Sequence, residues 1–155
     1  MRLTTEAHVI IPRPRAEVFA HLAQDKALVR YCRKRGPFAA IEEAVTHGPY
    51  QVGARRRVRM SDGMSMEETI TEWTVPVQHG YRWSDPPKPL GLIVDKAHGL
   101  WLFEAHGDGA TKVTWRYTLT IRSRLLYPLA KALVLGFRGW MQASLNNARA
   151  GVLSS

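Results

Sequence analysis

From Phe38 to Ile121 the chain runs in short apolar–polar alternations broken by turn residues, and after Arg122-Ser123-Arg124 the period changes to 3.6. Leu126, Leu129, Leu133, Phe137, Trp140, Met141 and Leu145 then fall on one stripe, which predicts a single helix of about 25 residues. The order is therefore strands first and one long helix last. An antiparallel sheet of about six or seven strands must cover one face, and no other segment is long and apolar enough to do so.

The N-terminal segment adds one strand and two short helices. Leu3, Ala7, Val9 and Ile11 alternate on one face of a strand that Pro12-Arg13-Pro14 stops. Pro14 suits the start of a helix holding Val18, Phe19 and Leu22. Asp25 is placed to cap a second helix carrying Leu28 and Tyr31, and Gly36-Pro37 ends it. Nothing divides the chain further, and 155 residues at 45% hydrophobic suit one domain over 1–155 with a real core.

Several functions are disfavoured by composition. One cysteine, Cys32, rules out an internal disulfide framework; its basic neighbours could lower its pKa, but no base stands near it and a non-reactive thiol is expected. The six histidines are scattered without metal-ligand spacing, and no glycine-rich phosphate loop or Gly-x-Ser-x-Gly elbow occurs, so no metal or cofactor is expected. The segment Leu125 to Phe137 is broken by Pro128 and Lys131 and is too short to span a bilayer. The first residues lack the apolar run of a signal peptide, so a cytoplasmic protein is expected.

Charge is the unusual number. The net is +9, with twelve basic and five acidic residues in 1–60. Such a skew invites anionic partners. The clusters Arg30–Arg35 and Arg55–Arg59 lack interleaved aromatic rings for stacking, so nucleic acid is not the expected partner. Arg122, Arg124, Lys131 and Arg138 punctuate the apolar helix and admit a membrane contact, but a helix gripped by the sheet is the simpler reading.

The run Val9-Ile10-Ile11-Pro12-Arg13-Pro14-Arg15-Ala16-Glu17-Val18-Phe19 resembles the opening of the SRPBCC, or START-like, superfamily. Tyr50-Gln51-Val52-Gly53, Thr71-Glu72-Trp73, Tyr81-Arg82-Trp83 and Asp108-Gly109-Ala110-Thr111-Lys112-Val113-Thr114-Trp115 resemble its later strands, in order and over almost the whole chain. The nearest branch is the polyketide cyclase/dehydrase and lipid transport group. The resemblance implies an α+β helix-grip fold: a curved antiparallel sheet of about seven strands around a long C-terminal helix, enclosing an apolar cavity. It implies binding or transfer of a small hydrophobic ligand, or alternatively cyclase/dehydratase chemistry; no catalytic motif carries over residue by residue.

Turn chemistry sets the strand register. Ser61-Asp62-Gly63 suits a three-residue hairpin loop closing on a glycine of positive φ, which places Met60 opposite Met64, Val58 opposite Met66, Arg56 opposite Glu68 and Ala54 opposite Ile70. Arg55, Arg57 and Arg59 then share the wet face, with Arg57 meeting Glu67, while Arg56 and Glu68 point inward. That inward pair is either a structural ion pair or a polar anchor for an acidic or phenolic ligand. With Gly107-Asp108-Gly109 as a similar loop, Trp101, Phe103, Trp115 and Tyr117 line the concave side, as core packing or as ligand wall. Leu133 and Phe137 of the helix face them as further ligand-binding candidates. Leu100 and Leu102 fall on the convex face, where an exposed apolar pair would support a weak homodimer.

Overall fold

The structure, a computed structural model, describes residues 1–155. Strand β1 (Arg2–Ile11) leads into α1 (Arg15–Leu22) and α2 (Asp25–Tyr31). Six strands follow: β2 (Ile41–His47), β3 (Arg55–Met60), β4 (Ser65–Thr74), β5 (Gln78–Ser84), β6 (Val94–Ala105) and β7 (Thr111–Ile121). Single 3-10 turns stand at Leu90–Leu92 and Arg124–Leu126, and α3 (Tyr127–Leu153) closes the chain. The seven strands form one antiparallel sheet in the order β1-β7-β6-β5-β4-β3-β2, so the first strand pairs with the last.

Both hairpins take the register that their loops dictate. Arg56 lies opposite Glu68 and Val58 opposite Met66; Trp101 lies opposite Trp115, Phe103 opposite Val113 and Gly99 opposite Tyr117. Gly63 and Gly109 close the two loops at φ 89° and 77°, a region that costs a residue with a Cβ but not glycine. Alternation then sends Ala54, Arg56 and Val58 inward and leaves Arg55, Arg57 and Arg59 in solvent. Glu67 stands opposite Arg57 in register, yet its ion pair is diagonal, to Arg55 at 3.1 Å. Arg59 reaches the other way, to Glu42 and Glu43 on β2.

Helix α3 lies along the concave face and is fastened at its C-terminal half. Met141, Ser144, Leu145, Ala148, Gly151 and Val152 are buried there, small residues alternating with large ones so that helix and sheet approach closely. The edge strand β1 has outward carbonyls, and α3 covers them: Arg138 Nε donates to the Glu6 carbonyl, Gln142 Nε2 to that of His8 and Arg149 Nε to that of Ile10, at 3.1, 2.9 and 2.9 Å. An open sheet edge is thereby closed.

Three local expectations are corrected. Asp25 does not cap α2; it occupies the first turn, and its carboxylate instead accepts from the Thr46 backbone N–H, the Thr46 hydroxyl and the Tyr50 hydroxyl, tying α2 to β2. Leu129 is not on the gripped stripe: it is exposed, and Ala130 takes the buried position, because the helix turns a different face inward in its first turns. Leu100 and Leu102 are half-buried rather than exposed, each lying between flanking strands on the convex side.

Candidate functional site

The N-terminal half of α3 stands away from the sheet, and the space between them is a cavity of about 320 Å³. That is near the lower end of the ~300–1,000 Å³ typical of small-molecule sites. Eighteen of its 23 lining residues are hydrophobic, and its ionisable groups other than tyrosine are Arg56, Glu68 and Asp62. Asp62 is exposed on the β3–β4 loop at the mouth. The inner wall therefore holds a single ion pair in apolar surroundings.

Of the residues anticipated from sequence, Arg56, Glu68, Trp115, Tyr117, Leu133 and Phe137 line this cavity. Trp101 and Phe103 do not. Trp101 stacks behind Trp115 at 4.6 Å between centroids, and Phe103 packs edge-on against Phe19 of α1 at 4.9 Å, so both serve as core.

The guanidinium of Arg56 is 1% exposed and the carboxylate of Glu68 sits against it at 3.3 Å. Its other terminal nitrogen lies 3.5 Å from His79 Nε2, and the Tyr81 ring stacks at 5.0 Å. Burial is the largest single influence on Arg56 and works against its charge, but Glu68, Tyr81 and Tyr50 together outweigh it and the net shift is upward, so Arg56 stays protonated. Burial likewise pushes the Glu68 carboxyl above its ordinary value, with Arg56 pulling against it. For His79, burial and then the Arg56 charge act in the same direction and lower its pKa from 6.5 to about 3. His79 is thus neutral, and accepting from Arg56 through Nε2 leaves its proton on Nδ1.

Beside the ion pair runs a directional chain of hydrogen bonds. Trp115 Nε1 donates to the Tyr81 hydroxyl at 3.2 Å, which donates to the Tyr117 hydroxyl at 2.9 Å; Trp83 Nε1 also donates to Tyr117, at 3.4 Å. Both Tyr117 lone pairs are engaged, and its own hydrogen is left for another acceptor. Burial is the first cause that raises both tyrosines well above the usual phenol range, so each is a donor and not a base. Gly99 makes the chain possible. It stands between Tyr81 and Tyr117 in the ladder, and a Cβ there would sit 2.5 Å from the Tyr81 ring, which crosses β6 over the bare backbone.

Sequence reasoning missed His79, Tyr81 and Trp83 as inward residues. The signal was present: His79, Tyr81 and Trp83 alternate with Gln78, Gly80 and Arg82, the period of a half-buried strand. Cys32, expected to be inert, is buried, and its thiol is pushed up to about 12 chiefly by that burial.

The fold is shared widely. Ara h 8.0201 is similar at 19% identity and a TM-score of 0.69 with all of both chains covered. Norcoclaurine synthase from Thalictrum flavum, solved with dopamine and hydroxybenzaldehyde, is similar at 11% identity and a TM-score of 0.74, over 99% of this chain and 88% of its own. The di-domain ARO/CYC BexL from the BE-7585A biosynthetic pathway is similar at 15% identity and a TM-score of 0.69, over 96% of this chain and 49% of its own. At these identities the likeness is one of fold. No curated protein matches the chain by sequence. The family model for polyketide cyclase / dehydrase and lipid transport, however, matches residues 2–152. With a helix-grip fold built as that family's motifs imply, the chain belongs to the polyketide cyclase/dehydrase and lipid transport family of the START-like superfamily.

Proposed function

We propose that the protein binds or transfers a small hydrophobic molecule carrying a polar, acidic or phenolic, end. The observation that carries this reading is the distribution of polarity in the cavity wall: apolar over most of its lining, with Arg56, Glu68 and Tyr117 together on the inner side. Apolar walls provide affinity, and a few placed polar groups fix orientation. Tyr117 is the direct donor, since its hydroxyl hydrogen is unspent. Arg56 uses part of its five N–H groups on Glu68 and His79, and its Nε has no partner.

Mass spectrometry of organic extracts of the purified protein tests the reading for ligands retained through purification. Titration of tryptophan fluorescence with 2-naphthoate and with its methyl ester tests the polar end. Binding of the acid about tenfold tighter than the ester is expected, the scale of one charge-assisted hydrogen bond. No binding of either compound, with no extracted ligand, would refute the reading.

The alternative is a cyclase/dehydratase-type enzyme working in the same cavity. Glu68, Tyr81 and Tyr117 are ionisable groups in its wall, which favours this reading over an inert container. Acid–base catalysis requires a group within hydrogen-bond reach of the substrate. Here the tyrosines supply donors, and Glu68 becomes a base only when Arg56 releases it. Turnover of a polyketone substrate that is lost in Tyr117→Phe while binding persists would support the enzyme.

A further inference from the structure

One face of the molecule beside the cavity mouth is apolar and flanked by unpaired cations. Leu125, Leu129 and Leu135 are 92, 55 and 72% exposed. With Pro128 and Ala132, also exposed, they form an outward stripe along the 3-10 turn at Arg124–Leu126 and the first turns of α3, opposite the residues that the sheet grips. Leu92, 56% exposed, extends the stripe from the 3-10 turn at Leu90–Leu92. That turn is joined to the approach of α3 by Arg122, whose Nε donates to the Gly91 carbonyl and whose backbone N–H donates to that of Ile93. The same segments line the cavity, through Leu90, Ile93, Leu133 and Phe137.

The charges around this stripe are mostly positive. After Asp108 the sequence contains no acidic residue. Arg124 and Lys131 border the leucines and form no ion pair, and neither do Arg33, Lys34 and Arg35 of the loop after α2. Arg35 reaches α3, its Nε lying 3.6 Å from where a Gly139 Cβ would be. The acidic groups nearby are fewer: Asp85 and Asp95 share Arg122, and Asp62 accepts from the Met64 backbone N–H. A second copy of the chain on this face would bring five unpaired cations against five others. A helix with leucines outward and cations beside them instead fits the boundary between acyl chains and acidic headgroups.

We propose that this face, made of Leu92, Leu125, Leu129 and Leu135 with Arg33, Lys34, Arg35, Arg124 and Lys131, docks the protein onto an anionic phospholipid surface with the cavity mouth turned toward the bilayer. The contact is peripheral, since no helix is long and apolar enough to cross a membrane.

Co-sedimentation of the full chain with vesicles tests this directly. Vesicles of phosphatidylcholine with phosphatidylglycerol are expected to carry the protein down at low salt and release it at high salt, and phosphatidylcholine alone is expected to leave it in solution. The triple variant Leu125→Asn, Leu129→Asn, Leu135→Asn should lower the partition by at least tenfold, and Lys131→Gln by about fivefold. Thermal melts of both variants should match the parent, because these side chains are exposed. The idea is overturned by absence of sedimentation with the anionic vesicles at low salt, by equal sedimentation with the neutral ones, or by an unchanged partition of the triple variant. Dimers crosslinked in the parent and lost in the triple variant, without vesicle binding, would assign the face to a second copy. The vesicles hold no cavity ligand and the variants leave the lining intact, so the outcome is independent of the ligand-binding reading.

Discussion

His79 should make the fold acid-sensitive in a defined window. Its ring is buried among Tyr50, Trp73 and Tyr81, with the Arg56 cation at 3.5 Å, and these hold its pKa at about 3 against 6.5 for a free histidine. Because the folded pKa is depressed, the stabilising contribution is fully present above pH 6.5 and is lost as pH falls from 6.5 toward 3. Below the upper limit the unfolded chain takes up a proton that the folded chain refuses. The loss approaches ~1.4 kcal/mol per pH unit and amounts to about 2 kcal/mol between pH 7 and pH 5. Glu68 acts in the opposite sense: its raised folded pKa adds stability as pH falls through it, so the wild-type profile alone is not diagnostic. The comparison with His79→Gln isolates the histidine, since the amide oxygen can still accept from Arg56 but does not titrate. Urea unfolding at pH 7 and pH 5 should show the wild type losing about 2 kcal/mol more than the variant over that interval. Equal losses, or a His79 ring that titrates near 6.5 in the folded protein by NMR, would refute the placement of a neutral histidine under Arg56.

Four further outcomes are expected. Arg56→Met should cost about 3–5 kcal/mol by stranding Glu68, whereas Arg56→Met with Glu68→Met should come close to neutral for folding and lose the preference for 2-naphthoate over its ester; denaturant melts and fluorescence titration check the two halves. Trp115→Ala should lose about 3–5 kcal/mol, since the ring is buried against Trp101 and Trp140 and also donates to Tyr81, and a loss under about 1 kcal/mol on urea melting would contradict that packing. Gly99→Ala should displace the Tyr81 ring, lowering the melting temperature and weakening ligand binding together, which calorimetry and titration would report. With Leu102 half-buried, the convex strands leave little apolar surface for self-association. Light scattering at high concentration should therefore show a monomer for the parent and for Leu102→Glu alike, and a dimer that Leu102→Glu abolishes would contradict this.

The parts of the fold written in local chemistry were legible in the sequence. Gly63 and Gly109 each fix a loop, a loop fixes a register, and the register decides that Arg56 faces Glu68 while Arg55 and Arg57 face water. What was not legible depends on partners distant in sequence. Tyr81 reaches Tyr117 only because Gly99 lies between them, a relation across three strands that no single period reveals. Leu129 was misplaced because α3 carries two apolar stripes, one gripped and one outward, and a period of 3.6 does not say which leucine belongs to which. Trp101 and Phe103 were correctly turned inward, but whether an inward ring meets a cavity or another ring depends on what α1 and α3 place above it.

The division of labour along α3 accounts for both the cavity and its position. In its C-terminal half, Ser144, Ala148 and Gly151 let the helix settle on the sheet; Arg138 just before the midpoint, and Gln142 and Arg149 beyond it, bind three alternate carbonyls of β1. That half carries most of the tight packing. Toward the N-terminus Leu133 and Phe137 are only half-buried, and the helix is held off by rings rather than drawn down by small residues: Phe137 stacks on Trp140 and meets Tyr117 edge-on. Aromatic rings that brace a helix away from a sheet leave volume beneath it, and the Arg56–Glu68 pair opposite keeps one wall of that volume polar. Burying such a pair contributes little to stability by itself. The fold therefore gains little from the pair, and the pair would give the proposed ligand a partner for its polar end.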